Sequence, residues 1–168
     1  MKYTTTLAAL SLAVISLVSP ARADDSKCKK VNGHATWTLI PAPFDPNGRI
    51  LGPSTGDLKA AISAIILSLS ANPSTGVITA DSLEVWVLGA TDTFVANGHA
   101  TFTPIPGQPI GTVQDNLTLT LTGGTGEFAG ATGTINVTGV GHNIFGPGSG
   151  PGLGYFDVDY NGTVCKAK

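Results

Sequence analysis

Leu117-Thr118-Leu119-Thr120-Leu121-Thr122 decides the fold class, because every second side chain is a leucine and every other one a threonine. A strand turns successive side chains to opposite faces, so this segment presents one apolar and one hydroxyl-bearing face. Working outward, Ala35-Thr36-Trp37-Thr38-Leu39 and Phe156-Asp157-Val158-Asp159-Tyr160 alternate in the same way. The chain is rich in β-branched residues that suit a pleated surface. Its 22 glycines and 11 prolines supply turns at short spacing. The expected class is all-β: an eight-stranded antiparallel barrel, with a two-sheet sandwich as the runner-up, since alternation alone does not separate the two.

One segment reads two ways. Leu58, Ala61, Ile62, Ile65, Ile66 and Leu69 also fit a helical face, with Asp57 as N-cap. The strand reading is preferred because Leu67-Ser68-Leu69-Ser70 alternates and runs into the turn Asn72-Pro73-Ser74-Thr75-Gly76. Val77 to Leu88 then returns as its partner. Strands are expected to start near Val31, Leu58, Val77, Thr93, Thr112, Ala131 and Tyr155, with one further boundary left open. Pro41 to Gly56 and Gly146 to Gly152 are expected to be surface loops, the first a lid or rim. A short echo joins two strands: Asn32-Gly33-His34-Ala35-Thr36-Trp37-Thr38 recurs as Asn97-Gly98-His99-Ala100-Thr101-Phe102-Thr103. Equivalent strands of a pseudo-symmetric barrel would account for it.

Lys2, the apolar run Leu7 to Val18 and the small-x-small site Ala21-Arg22-Ala23 have the form of a cleaved export signal over residues 1–23. The run is too short for a spanning helix. Residues 24–168 then form one domain, in a secreted or periplasmic setting. Nine Lys and Arg stand against 11 Asp and Glu, and the basic residues cluster only at the two mature ends. That distribution does not suit a polyanion, so nucleic acid is excluded as a partner. The two cysteines, Cys28 and Cys165, lie near those ends and are expected to pair in an oxidising compartment.

The most distinctive stretch is Gly123-Gly124-Thr125-Gly126-Glu127-Phe128-Ala129-Gly130-Ala131-Thr132-Gly133. It resembles the G-G-T-G-x-F-x-x-A-x-G signature of the allene oxide cyclase and dirigent barrel superfamily, over about Leu117 to Gly139. The resemblance implies a tight glycine turn into a late barrel strand, with Phe128 covering one end of the core. It also implies an eight-stranded barrel with an apolar cavity, often trimeric. Such barrels steer the cyclisation or coupling of a reactive small molecule without a bound cofactor. No catalytic residue of that superfamily maps onto this chain by position.

Other motifs are weaker. Gly124-x-Gly126-x-x-Ala129 has the spacing of a dinucleotide fingerprint but lacks a following helix. Asp157-x-Asp159-x-Asn161-Gly162 opens like a calcium loop, yet Lys168 stands where the bidentate Glu belongs. His34, His99 and His142 show no zinc spacing, so no metal is expected. Asn116, Asn136 and Asn161 open N-x-Thr sequons. Glu84 and Trp86 share a strand face opposite Leu83, Val85 and Val87. With Trp86 inside, Glu84 is a desolvated carboxyl suited to acid–base work. The cost of desolvating it favours the opposite placement, with the aliphatic face inside. The functional expectation is a barrel that binds a small apolar molecule and steers its cyclisation, isomerisation or coupling. Trp37, Trp86 and Phe102 are its expected wall, Glu84 and His99 its polar candidates. The alternative is a non-catalytic binding or structural protein on the same scaffold.

Overall fold

The computed structural model describes residues 28–40, 48–144 and 154–167. Eight strands follow one another: β1 Cys28–Ile40, β2 Arg49–Gly56, β3 Ala61–Ala71, β4 Ile78–Val87, β5 Thr93–Pro104, β6 Val113–Thr125, β7 Thr132–His142 and β8 Gly154–Cys165. Each pairs antiparallel with the next, and β8 returns to β1, so the sheet is a closed barrel. The closing seam runs from Cys28 opposite Cys165 to Leu39 opposite Gly154. That seam decides for the barrel and against the sandwich. No helix among the described residues is long and apolar enough to cross a membrane.

The alternation read from the sequence is the in–out pattern of the wall. Leu117, Leu119 and Leu121 are buried while Thr118, Thr120 and Thr122 are exposed. The stretch that also fits a helix is strand β3, and a bulge between Ile66 and Ser68 breaks its register against β4. One element departs from expectation. Arg49–Gly56, taken as part of a loop, is strand β2. Pro53 and two glycines conceal it, because proline inside a run argues against a strand. The glycine is required here: a Cβ on Gly52 would lie 2.1 Å from the Thr36 carbonyl oxygen of β1. Residues 41–47 and the Gly146 to Gly152 loop lie outside the described residues.

The sequence echo falls on β1 and β5, four strands apart in the eight-stranded ring. In both copies the strand before it pairs alike, with His34 opposite Asp159 and His99 opposite Asp81. Each Asn-Gly-His glycine makes room for a side chain from that preceding strand. A Cβ on Gly33 would lie 2.4 Å from the Tyr160 hydroxyl, and one on Gly98 would lie 2.2 Å from Ser82 Oγ. The echo in β1 and β5 is thus matched by the His–Asp pairing that each makes with its preceding strand.

At the seam Cys28 and Cys165 form a disulfide across a sequence separation of 137 residues. In the chain-entropy picture a loop of that length is worth roughly 4–5 kcal/mol, through restriction of the unfolded chain. Replacing both cysteines with serine is therefore expected to lower the unfolding free energy by about that amount, while the far-UV spectrum stays that of a β-protein. Urea titrations of the two forms, compared at equal m-value, measure it.

Candidate functional site

The interior is a mostly apolar core with two carboxylic acids in it. Inward positions of β4 carry Ala80, Ser82, Glu84 and Trp86, all buried. The expectation that Leu83, Val85 and Val87 would face inward is therefore overturned, and Trp86 is not a surface residue. The desolvation that argued against this placement is offset locally. The Trp86 indole N–H donates to Glu84 Oε2 at 3.0 Å, and the Ser82 hydroxyl donates to Oε1 at 3.4 Å. Burial still dominates and pushes the Glu84 carboxyl up to about 7, against the two hydrogen bonds that pull it down.

The second acid escaped the sequence reading. Asp115, on β6, is 2% exposed. It occupies an inward position of β6, opposite Phe102 on one side and Gly139 on the other. Burial pushes its carboxyl up to about 7, and the charge of Glu84 pushes in the same direction. The influence of Glu84 on Asp115 is secondary to burial. The signal was present: Val113-Gln114-Asp115-Asn116-Leu117 places Asp115 on the leucine face of the strand.

The aromatic residues expected to form a wall are all inside. Trp37, Trp86 and Phe102 are 1%, 0% and 4% exposed. Trp86 stacks on Phe94 with centroids 5.1 Å apart and meets Trp37 and Tyr160 edge-on at 6.4 and 5.6 Å. Phe102 lies 5.7 Å from Phe156. Phe128, from the glycine-rich stretch, is buried beside Phe94 at 5.7 Å. It ends a 3-10 turn, Gly126–Phe128, where the dinucleotide spacing would have needed a helix. Two buried polar atoms have no hydrogen-bond partner among the described residues: the Trp37 indole nitrogen and Asp115 Oδ1. One is a donor and the other an acceptor, and groups of this kind are costly to leave unmade.

His99 does not join Glu84. Inward positions on β5 are Phe94, Ala96, Gly98, Ala100 and Phe102, so His99 falls on the outer wall by strand parity. Its ring Nδ1 lies 2.8 Å from Asp81 Oδ1, and both side chains are more than half exposed. The His99 and Ser68 hydrogen bonds hold the Asp81 carboxyl below its usual range. His34 is likewise outside, between Asp157 at 3.0 Å and Asp159 at 3.1 Å. The aspartates of the calcium-like run thus serve a histidine. Among the described residues, no group of three or more His, Cys, Asp or Glu side chains is arranged to hold a metal ion.

One end of the barrel, beside the disulfide, opens into a pocket of about 320 Å3. Val31, Leu58, Leu88, Phe128 and Val164 line its apolar part, with Lys29, Lys30 and Lys166 around them. Lys166 reaches across Phe128, 5.0 Å from the ring centroid, to pair with Glu127.

These features define the molecule as a closed antiparallel barrel whose aromatic interior holds two buried carboxyl groups. No protein-family model matches the chain, and neither does any curated protein sequence.

A carboxyl whose folded pKa is raised binds its proton more tightly in the folded than in the unfolded state. Its contribution is fully present below the unfolded pKa and is lost as pH rises through the folded one. Stability is therefore expected to fall between about pH 4 and about pH 7, by a few kcal/mol in all, and then to level off. Glu84→Gln keeps the shape and removes one titration. Thermal melts across that range should show a shallower decline for the variant, and a higher Tm than wild type at pH 8. Equal slopes for the two proteins would refute the assignment.

Proposed function

We propose that this chain is an exported binding barrel of the allene oxide cyclase and dirigent kind. On this reading it holds a small apolar molecule in its aromatic interior and steers that molecule's cyclisation, isomerisation or coupling without a cofactor. The observation that carries the reading is the placement of Glu84 and Asp115 together inside the barrel, each poised to hold or release a proton near neutrality. A ligand hydroxyl or carbonyl would accept from the Trp37 indole N–H, and a ligand hydroxyl would donate to Asp115 Oδ1, the two interior polar atoms without a partner among the described residues. Asp115, free at one oxygen, is then the acid–base group, and Glu84, held by Trp86 and Ser82, positions the indole beside it. Trp37, Trp86 and Phe102 restrict the ligand's conformations and exclude water, which needs shape more than charge. The disulfide accords with the secreted or periplasmic setting. A trimer belongs to the same reading through the family resemblance.

One observation favours the non-catalytic alternative: both oxygens of Glu84 are occupied by neighbours in its own strand. Native mass spectrometry of protein purified from its own host separates a small-molecule-binding barrel from a purely structural one. The expected result is a retained small molecule, lost or weakened about tenfold in Asp115→Asn. That variant is isosteric, so a β-type far-UV spectrum will show that it folds. Protein that carries no ligand, and whose tryptophan emission is unmoved by apolar carbonyl probes, would leave the barrel a structural one.

A further inference from the structure

The outer wall of the barrel is not uniform. On β6 the outward side chains are Gln114, Asn116, Thr118, Thr120 and Thr122, which suit water. On β2, β3 and β4 the outward positions from Arg49 to Pro53, Ala61 to Leu67 and Leu83 to Val87 are aliphatic, Arg49 and Ser63 apart. Leu51, Ile65, Leu67 and Val87 are 37%, 37%, 57% and 43% exposed. Cross-strand register gives this wall a relief. Pro53, Ala61 and Val87 are directly opposed, and so are Leu51, Ser63 and Val85. In both rows a short side chain on β3 lies between two larger ones, which makes a trough. One outward step along, Ile65 stands up. The bulge residue Leu67 stands beyond it, where the pairing with β2 has already ended at Arg49. The outer face of β3 is thus low over Ala61 and Ser63 and high over Ile65 and Leu67.

Trough and ridge lie in line on one strand, with two outward residues each, so the surface fits its own copy. A two-fold axis lying in the contact plane, across β3 and level with Ala64, lays the ridge of each copy into the trough of the other, with the two β3 strands antiparallel. The trough and ridge carry no charge, so this arrangement opposes no like charges at its centre. The wall is convex, which confines the contact to β3 and the flanks of β2 and β4, where the aliphatic side chains are. The area agrees. The outward apolar groups of the three strands leave roughly 500 Å2 in water, toward the upper end of what a lone domain exposes. A standard interface covers about 800 Å2 of each partner, somewhat more than half of it apolar. The wall therefore supplies the apolar share of one such contact per copy, and not of two. A lipid surface would call for aromatic side chains at the patch. None stands on the outer wall of these three strands.

We propose that a second copy of this chain packs on this wall, forming a two-fold dimer in which Ile65 and Leu67 of each copy fill the trough over Ala61 and Ser63 of the other. The contact lies outside the interior and does not rest on the small-molecule reading. Being two-fold, it also differs from the trimer that the family resemblance carries.

The test is sedimentation velocity of the disulfide-bonded protein at about 50 μM and on dilution from there. A dimer is expected. Ile65→Lys and Leu67→Lys each put a charge into the contact twice, once per copy, and are each expected to weaken dimerisation about a hundredfold. Both positions are on the outer wall, so the far-UV spectrum should stay that of a β-protein. Thr120→Lys, on the polar side of the barrel, should leave the dimer intact. A monomer at the starting concentration overturns the proposal, and so does a trimer. A dimer that survives both β3 substitutions, or one that Thr120→Lys dissociates equally, puts the contact elsewhere and overturns it too. A monomer that floats with phosphatidylcholine vesicles would give the wall to a lipid surface instead and overturn it likewise.

Discussion

The seam between β1 and β8 is the constraint on which the rest depends. A sheet left open would expose a row of unpaired backbone donors and acceptors at each edge. Here the first and last strands pair from Cys28 opposite Cys165 to Leu39 opposite Gly154, and the disulfide stands at one end of that pairing. Closure fixes which face of every strand is inside. It thereby creates a volume with no backbone polarity, enclosed by eight ladders whose N–H and C=O groups are already paired. Burial in that volume pushes the Glu84 and Asp115 carboxyls up to about 7. That burial depends on the meeting of the first and last strands.

Much of this was legible from alternation alone. Leu117 to Thr122 states its own inside and outside, and the Phe156 to Tyr160 run does the same. Cys28 and Cys165, the two cysteines of the chain, pointed to the closing disulfide. Strand β2 was not legible, because Pro53, Gly52 and Gly56 give it the composition of a loop and only its neighbours in space make it a strand. The face of β4 was misread for a different reason. Local cost favours burying Leu83, Val85 and Val87, and the sequence does not reveal that the indole of Trp86 and the hydroxyl of Ser82 will meet Glu84. Tertiary context overrode a sound local argument. Asp115 was overlooked although its parity with three leucines placed it inside.

The two copies of Asn-Gly-His show how one local solution serves both halves. In each, a glycine at an inward position gives its space to a side chain from the strand before, Tyr160 in one case and Ser82 in the other. The histidine that follows must then point outward, where an aspartate on that same strand waits for it. Past that point the halves diverge. Tyr160 brings its hydroxyl to the backbone at Thr55, 2.8 Å away, and Leu58 donates its N–H to that hydroxyl at 2.8 Å. Those bonds tie the β2–β3 corner to the core. Ser82, shorter, leaves room and turns to Glu84 instead.

Strand parity also explains how one wall holds two unrelated chemistries without conflict. Every inward residue of β5 and β6 is apolar, glycine or Asp115, and the residues between them, Val95 apart, are polar, among them His99, Thr101, Asn116, Thr118 and Thr120. The inner set is packed away from water, and the outer set meets it. A one-residue slip of either strand would put leucines into solvent and threonines into the core, so the hydrophobic requirement of the interior also locks the outer rows in register. The regular spacing of the outer side chains is thus inherited from the packing of the core. The outer rows stay aligned only while the leucines behind them remain buried.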